Sequence, residues 1–300
     1  ATGCRPLLMG DTAQLPPVGD EESPALSDEY MSGYGFRVVS HTLTEVVRQA
    51  DSSGILWNAT HLRTLLENED IFAFPKIRFH GFPDVHNIPG NELIEVLEEC
   101  YHRDGEDDTI VVTRSNKRAN IYNNGIRAQI LWREEPLESG DMLMVAKNNY
   151  YWSEQLTLEL IANAKTEGKA AEEAERVPFD FIANGDTAIV RRVRNERQFY
   201  GFTFVDATLE FPDFNDFQMQ LTLLTDTLQA EAPALTKEQQ DSLFNLIMED
   251  YAGDSTLRSK QDKLKALRQD PYYNALQIKY AYAVTCHKAQ GGQWTNVFID

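Results

Sequence analysis

The 300-residue chain has no run of about 18 apolar residues, so no segment is expected to cross a membrane. Its start, Ala1-Thr2-Gly3-Cys4-Arg5, lacks the charged-then-apolar layout of a secretory signal, and the expected location is cytoplasmic. Cysteine is scarce. Cys4, Cys100 and Cys286 are odd in number and form no C-x-x-C pair, which argues against a disulfide framework or a zinc ribbon. His80, His86, Cys100 and His102 match no metal-ligand spacing. No G-x-x-x-x-G-K-[ST] string occurs. Basic residues are also few: 28 Lys and Arg against 47 Asp and Glu give a formal charge of −19, which argues against a generic nucleic-acid binder.

Charge is nevertheless uneven. Acidic residues crowd Glu92 to Glu99 and Asp104 to Asp108, whereas Arg114, Lys117 and Arg118, and then Arg191, Arg192 and Arg194, form local basic clusters. Acidic runs of this kind are usually solvated faces.

Gly10-Asp11-Thr12-Ala13-Gln14-Leu15-Pro16-Pro17-Val18 is the most informative stretch. The apolar Leu7-Leu8-Met9 before it reads as a buried strand whose end would face a ligand, as in open parallel sheets. Gln14 offers a neutral amide that can both donate to a phosphate oxygen and accept from water or arginine. Pro16-Pro17 would hold the adjoining chain stiff. A surface turn after a core strand accounts for the same residues.

Further along, Glu21 to Ser40 reads as loop and linker. Ser53 to Leu66 has helical spacing, with Ile55, Leu56, Ala59, Leu62 and Leu66 predicted to face a core. Pro89-Gly90-Asn91 precedes a helix carrying Leu93, Ile94, Leu97 and Tyr101 on one stripe. Ile110-Val111-Val112 then reads as a short buried strand, followed by a helix from about Ser115 with Ala119, Tyr122, Ile126 and Ile130. This alternation predicts a parallel α/β sheet. From Gly140 to Phe211, the runs 142–145, 187–190 and 202–205, with a turn at Asn184-Gly185-Asp186, predict a small barrel. Glu159 to Glu175 reads as an exposed helix or mobile loop inside it. Tyr150-Tyr151-Trp152 fits core packing or base stacking. Thr236 and Gln239 predict a capping box before Leu243, Phe244, Ile247 and Tyr251, and a second helix carries Leu257, Leu264 and Leu267. Tyr280 to Val284 and Val297 to Ile299 return to buried-strand character.

Three more strings carry chemistry. Leu43-Thr44-Glu45-Val46-Val47-Arg48-Gln49 offers Arg48, whose planar guanidinium suits charge on a transferring phosphoryl group, or an ordinary ion pair. Thr113-Arg114-Ser115-Asn116-Lys117-Arg118 lies at a strand-to-helix junction, fit for phosphate binding or for helix capping. Ala283-Val284-Thr285-Cys286-His287-Lys288-Ala289-Gln290-Gly291-Gly292-Gln293-Trp294 again puts a threonine at a strand end. If both strands lie parallel in one sheet, Thr113 and Thr285 face the same edge. Gly291-Gly292 would allow close backbone approach to a nucleotide.

In order, these strings resemble motifs III, IV and V of superfamily-1 helicases, and with the barrel the chain resembles the C-terminal part of a RecD-like DNA helicase, of the kind found as the exodeoxyribonuclease V alpha subunit. Asn120 and Asn124 fit the same pattern. The resemblance implies an α/β fold: a RecA-like parallel-sheet motor domain with an inserted small SH3-like β-barrel and a helical segment. It assigns 1–45 to the remnant of a first motor domain and linker, 46–136 to the first part of a second, 137–273 to the barrel with its helices, and 274–300 to the second motor domain's final part. It implies ATP with Mg²⁺, 5′-to-3′ movement on single-stranded DNA, and possible nuclease or repair subunits as partners. Gln14 and Arg48 would be the catalytic sensors of the terminal phosphate. Gly10, Asp11, Gly291 and Gln293 would join them at the nucleotide, and Thr113, Arg114, Asn116, Thr285, His287 and Lys288 would bind DNA. Relatives often have Glu where Gln293 stands, so no carboxylate role carries over to it. Without a phosphate-binding loop, and ending before the arginine motif VI of relatives, the chain alone is expected not to hydrolyse ATP. A non-catalytic docking module, or an RNA helicase, is the alternative.

Overall fold

A computed structural model of the chain describes residues 4–12, 14–17, 19–20, 22–43, 53–67, 74–168, 170 and 176–300. Two compact units make up the chain, Ala1–Glu92 and Leu93–Asp300.

The first unit holds two helices among its described residues. α1 (Asp28–Gly33) follows a single 3-10 turn and is capped by Ser27, whose side chain accepts the Tyr30 N–H, with Asp28 and Glu29 in its first turn. It lies inside the stretch expected to be loop. α2 (Gly54–Glu67) takes its N-terminal cap from a distance: the Asp84 carboxylate accepts from Ser53 Oγ at 2.7 Å, Gly54 N at 2.9 Å and Ile55 N at 3.3 Å. Asn58 is buried and clips the same returning segment, accepting from Arg78 N and donating to Arg78 O. Gly54 is required here, since a Cβ would stand 2.6 Å from Phe82 Cβ.

Two expectations are corrected. α2 forms, but Ile55, Ala59 and Leu66 are exposed, because polar clips and the Phe82 contact cover only one narrow face. Leu7-Leu8-Met9 is not a buried strand; Leu7 and Met9 are more than 80% exposed. A strand needs a hydrogen-bonded neighbour, and the described residues of this unit contain none.

The second unit joins a parallel sheet to a closed barrel. α3 (Leu93–Asp104) and α4 (Asn116–Gln129) flank β1 (Thr109–Thr113), and the apolar stripes predicted for both helices enter one core through Leu97, Tyr101, Ala119, Ile126 and Ile130. Five strands close the barrel in order: β2 (Met142–Val145), β3 (Thr187–Phe199), β4 (Phe202–Phe211), β5 (Phe217–Leu224) and β6 (Leu276–Tyr280). Leu143, Val190, Leu209, Leu223 and Ile278 alternate inward and are fully buried. Closure removes free sheet edges.

Between β2 and β3, α5 (Tyr151–Thr166) is a formed helix, anchored by Trp152 Nε1 donating to Asn274 O at 2.9 Å. Trp152 packs on the core, while Tyr150 stacks on Phe181 and is half exposed. α6 (Lys237–Asp250) begins with the predicted Thr236–Gln239 capping box, and α7 (Lys260–Arg268) with one from Ser259 and Asp262. Leu243, Ile247 and Leu267 form a second core with Phe204 and Leu224, while Leu257 lies before α7 rather than on it.

Two residues after β6 the chain enters β7 (Ala283–Thr285), then the single-turn α8 (Cys286–Ala289) and β8 (Asn296–Ile299). The sheet order is β7-β1-β8, all parallel. The run expected as one strand from Tyr280 is thus divided, with Tyr280 pairing with Leu143 in the barrel and Ala283 with Val111 in the sheet. β8 lies at the sheet's side with Val297 and Ile299 exposed, not buried as predicted.

A buried ionic knot ties sheet to barrel at the two chain crossings. Asp141, fully buried just before β2, accepts from Arg127 Nε at 2.8 Å, Arg127 NH2 at 3.0 Å, Arg133 NH1 at 3.0 Å and Tyr282 OH at 3.2 Å. Met142 N donates to Tyr282 OH at 2.9 Å, and Glu138 N to Asp141 at 2.7 Å. Neither arginine is stranded as an unpaired buried charge.

Candidate functional site

The carboxyl end of the parallel sheet gathers most of the residues singled out in the sequence. β1 and β7 run in register, Thr113 opposite Thr285, and the strand ends open onto the start of α4 and onto α8. In parallel α/β sheets this is the edge where ligands bind.

The two threonines differ in availability. Thr113 is fully buried, with Oγ1 3.1 Å from Ser115 O and 3.3 Å from Val284 O, to which it can donate. Its hydroxyl fastens β1 to β7 and is not exposed for the direct phosphate contact expected of it. Thr285 is half-buried and its side chain makes no capping bond, so its hydroxyl is the one presented at the edge. Cys286 Sγ lies 3.3 Å from Thr113 O, and His287 is exposed beside it.

Ser115 caps α4, accepting Arg118 N at 3.3 Å, so both readings of this segment coexist: the serine caps, and Arg114 projects into solvent with no hydrogen bond or ion pair among the described residues. Asn116 is half-buried at the first position of α4. Lys117 stands 3.7 Å from Glu231, both side chains mostly exposed, a pair worth little. Arg118 is held in a fork by the Asp300 carboxylate, with Nε donating at 2.8 Å and NH2 closing the second arm, and Tyr122 OH donates to the same carboxylate at 2.8 Å. These bonds, Arg118's first, hold the Asp300 carboxyl below the usual carboxylate range and raise Arg118 further.

Lys288 departs from its expected place on a phosphate. Its ammonium donates to Asn184 Oδ1 on the barrel turn, and partial burial lowers its pKa. Gly291 is exposed with φ +83°, a left-handed conformation that suits glycine, whereas a Cβ on Gly292 would lie 2.0 Å from the Trp294 ring. The Trp294 indole occupies the space a side chain at Gly292 would take, and Gly292 itself is exposed. Gln293 is exposed.

Asn123 was not singled out from the sequence and is central to the edge. Fully buried on α4, it accepts the Ala283 N–H at 2.8 Å and donates to Ala283 O at 2.9 Å, serving that residue of β7 as a neighbouring strand would. Its signal was a polar residue on the apolar stripe, four after Ala119 and three before Ile126. Asn120 donates to Gln229 O, and Asn124 is exposed.

Gly10, Asp11 and Gln14 belong to the first unit and line a groove of about 570 Å³ with Leu7, Met9 and Leu26. Asp11 pairs with Arg63 at 2.9 Å and its carbonyl accepts Gln14 N in a turn, leaving the Gln14 side chain exposed. Asp11 and Glu22 give the groove two carboxylates, and among the described residues no Lys or Arg lines it. Arg48 lies outside the described residues.

Among the described residues no group of three or more His, Cys, Asp or Glu could hold a metal ion, and no helix is long and apolar enough to cross a membrane. No family model matches the chain, and no curated protein matches its sequence.

Proposed function

We propose that this chain carries part of a RecD-like, superfamily-1 motor that moves on single-stranded DNA, with β1, β7 and β8 in its second RecA-like domain and the closed barrel as the inserted SH3-like element. The observation that carries this reading is the parallel register that sets Thr113 beside Thr285 at one sheet edge, with Arg114 at the same edge. A neutral hydroxyl and exposed cations at a strand-to-helix junction suit a phosphate backbone and read no base sequence.

ATP and Mg²⁺ enter through the resemblance. Among the described residues no cation lines the Gly10–Gln14 groove, and Arg48 lies outside them, so no nucleotide step is assigned to it. The chain, having no phosphate-binding loop, is predicted to show no DNA-stimulated ATP turnover alone.

The net charge of −19 favours a second reading, a docking module without nucleic-acid affinity. Fluorescence anisotropy with a labelled oligo-dT and the whole chain separates the two. The motor reading expects binding that Thr285→Ala weakens, and that Thr113→Val weakens only through lost stability. No binding at low salt supports the docking module. Tighter binding of an oligo-U of equal length turns the assignment to RNA.

A further inference from the structure

We propose that Asp300 sets how tightly this edge holds a phosphodiester backbone, by acting as a resident anion on Arg118 that nucleic acid must displace. The inference rests on the reading of the edge as a nucleic-acid track. It identifies which group governs affinity there, at a position that no motif marks.

Geometry supplies the first argument. Arg118 presents its Nε and NH2 side by side to the two oxygens of one carboxylate, the same planar fork by which arginine grips a phosphate. Asp300 follows β8, which pairs with β1, and its N–H donates to Val112 O at 3.1 Å. The carboxylate is thereby pinned to the backbone next to Thr113, at the edge that Thr285 and Arg114 share. Tyr122 OH donates to it from the following turn of α4, and the Arg118 guanidinium also lies 5.4 Å from the Tyr122 ring centre. Asp300 is therefore a fixed anion rather than a wandering surface charge.

Exchange is the second argument. The Arg118 side chain keeps 44% of its exposure while Asp300 keeps 18%, so the guanidinium is open to solvent on one side and the carboxylate is mostly covered. A phosphate that reaches the open side can compete for the guanidinium. Arg118 has no second acidic side chain in contact among the described residues, and Arg114 is near enough to Asp300 to feel its charge. Removing the carboxylate both releases one guanidinium and lifts repulsion from the site that Arg114 serves.

The third argument is the accounting of cations. Of those at or beside the edge, Lys288 is committed to Asn184 and Arg118 to Asp300, which leaves Arg114 and the weakly paired Lys117. At about 0.7 of log-log salt slope per single-strand phosphate, two contacts give a slope near −1.4, and freeing Arg118 brings it to about −2.1.

The experiment is oligo-dT binding across a salt series for the wild-type chain, Asp300→Asn, Arg118→Gln, the double variant, and Glu98→Gln on α3 as a net-charge control. Circular dichroism confirms that each variant is folded. Expected are an affinity gain of about threefold or more and a slope steeper by about 0.7 for Asp300→Asn. Both should vanish in the Arg118→Gln background and be absent in Glu98→Gln. Wild-type binding with an unchanged Asp300→Asn, or a gain that persists without Arg118, overturns the role of Asp300 and leaves the nucleic-acid reading standing. No binding by any variant at low salt overturns both.

Discussion

Asn123→Ala is predicted to be among the most damaging single truncations in the second unit. The Asn123 amide is the partner of both Ala283 N and Ala283 O, at 2.8 and 2.9 Å, in a site shielded from water. Truncation strands one buried donor and one buried acceptor, each costing about 1–3 kcal/mol, for a total of roughly 2–6 kcal/mol. Against a typical domain stability of about 5–15 kcal/mol this is a large share. Asn123→Asp separates hydrogen bonding from packing. An ionised carboxylate still accepts from Ala283 N but cannot donate to Ala283 O, and burial raises its pKa above the unfolded value near 3.9. The variant should therefore be most stable at acid pH, where the protonated carboxyl can donate, and lose stability as the pH climbs through the raised folded pKa. Urea unfolding followed by tryptophan fluorescence measures both, with exposed Asn124→Ala as the control. A loss below about 0.5 kcal/mol for Asn123→Ala, the range of ordinary surface substitutions, would refute the role assigned to the amide.

Asp141→Ala should cost about 3–5 kcal/mol, because it leaves Arg127 buried without its carboxylate; chemical unfolding reads this directly. Lys279 in β6 has its pKa lowered to about 8 by burial, so the unfolded chain binds more protons between about pH 8 and the ordinary value of 10.5. Stability in that window rises with pH, and the wild-type curve minus that of Lys279→Met should show the rise, whereas parallel curves would contradict it. Gly292→Ala brings a methyl group into the Trp294 ring and is expected to shift the emission of that indole, checked against Gly125→Ala, whose Cβ meets nothing within 4 Å.

Much of the second unit was legible because its signals are periodic. The stripes of α3 and α4 and the paired runs ending at Thr113 and Thr285 follow from residue spacing, and the Thr236–Gln239 box from a local rule. What escaped was set by partners distant in sequence. β5 reads as polar alternation because its Gln218 and Gln220 face out, and only closure against β6 reveals it as a barrel strand. Leu7-Leu8-Met9 fits a buried strand by composition, but burial depends on neighbouring strands that the described first unit does not provide. The edge itself shows the same division. Residue types marked Thr113, Arg114 and Lys288 as contacts, yet a 3.1 Å bond within one turn occupies Thr113, and Asn184, 104 residues away, occupies Lys288. The groups that shape the edge, Asn123 and Asp300, act through backbone or another side chain and leave no motif.

The most direct test of the central claim is equilibrium binding of labelled oligo-dT to the unmodified chain from low to physiological salt. Two available cations at the β1–β7 edge predict measurable binding that weakens with a log-log slope near −1.4. Absence of binding at the lowest salt, or affinity indifferent to salt, would contradict the assignment of this edge as a nucleic-acid track.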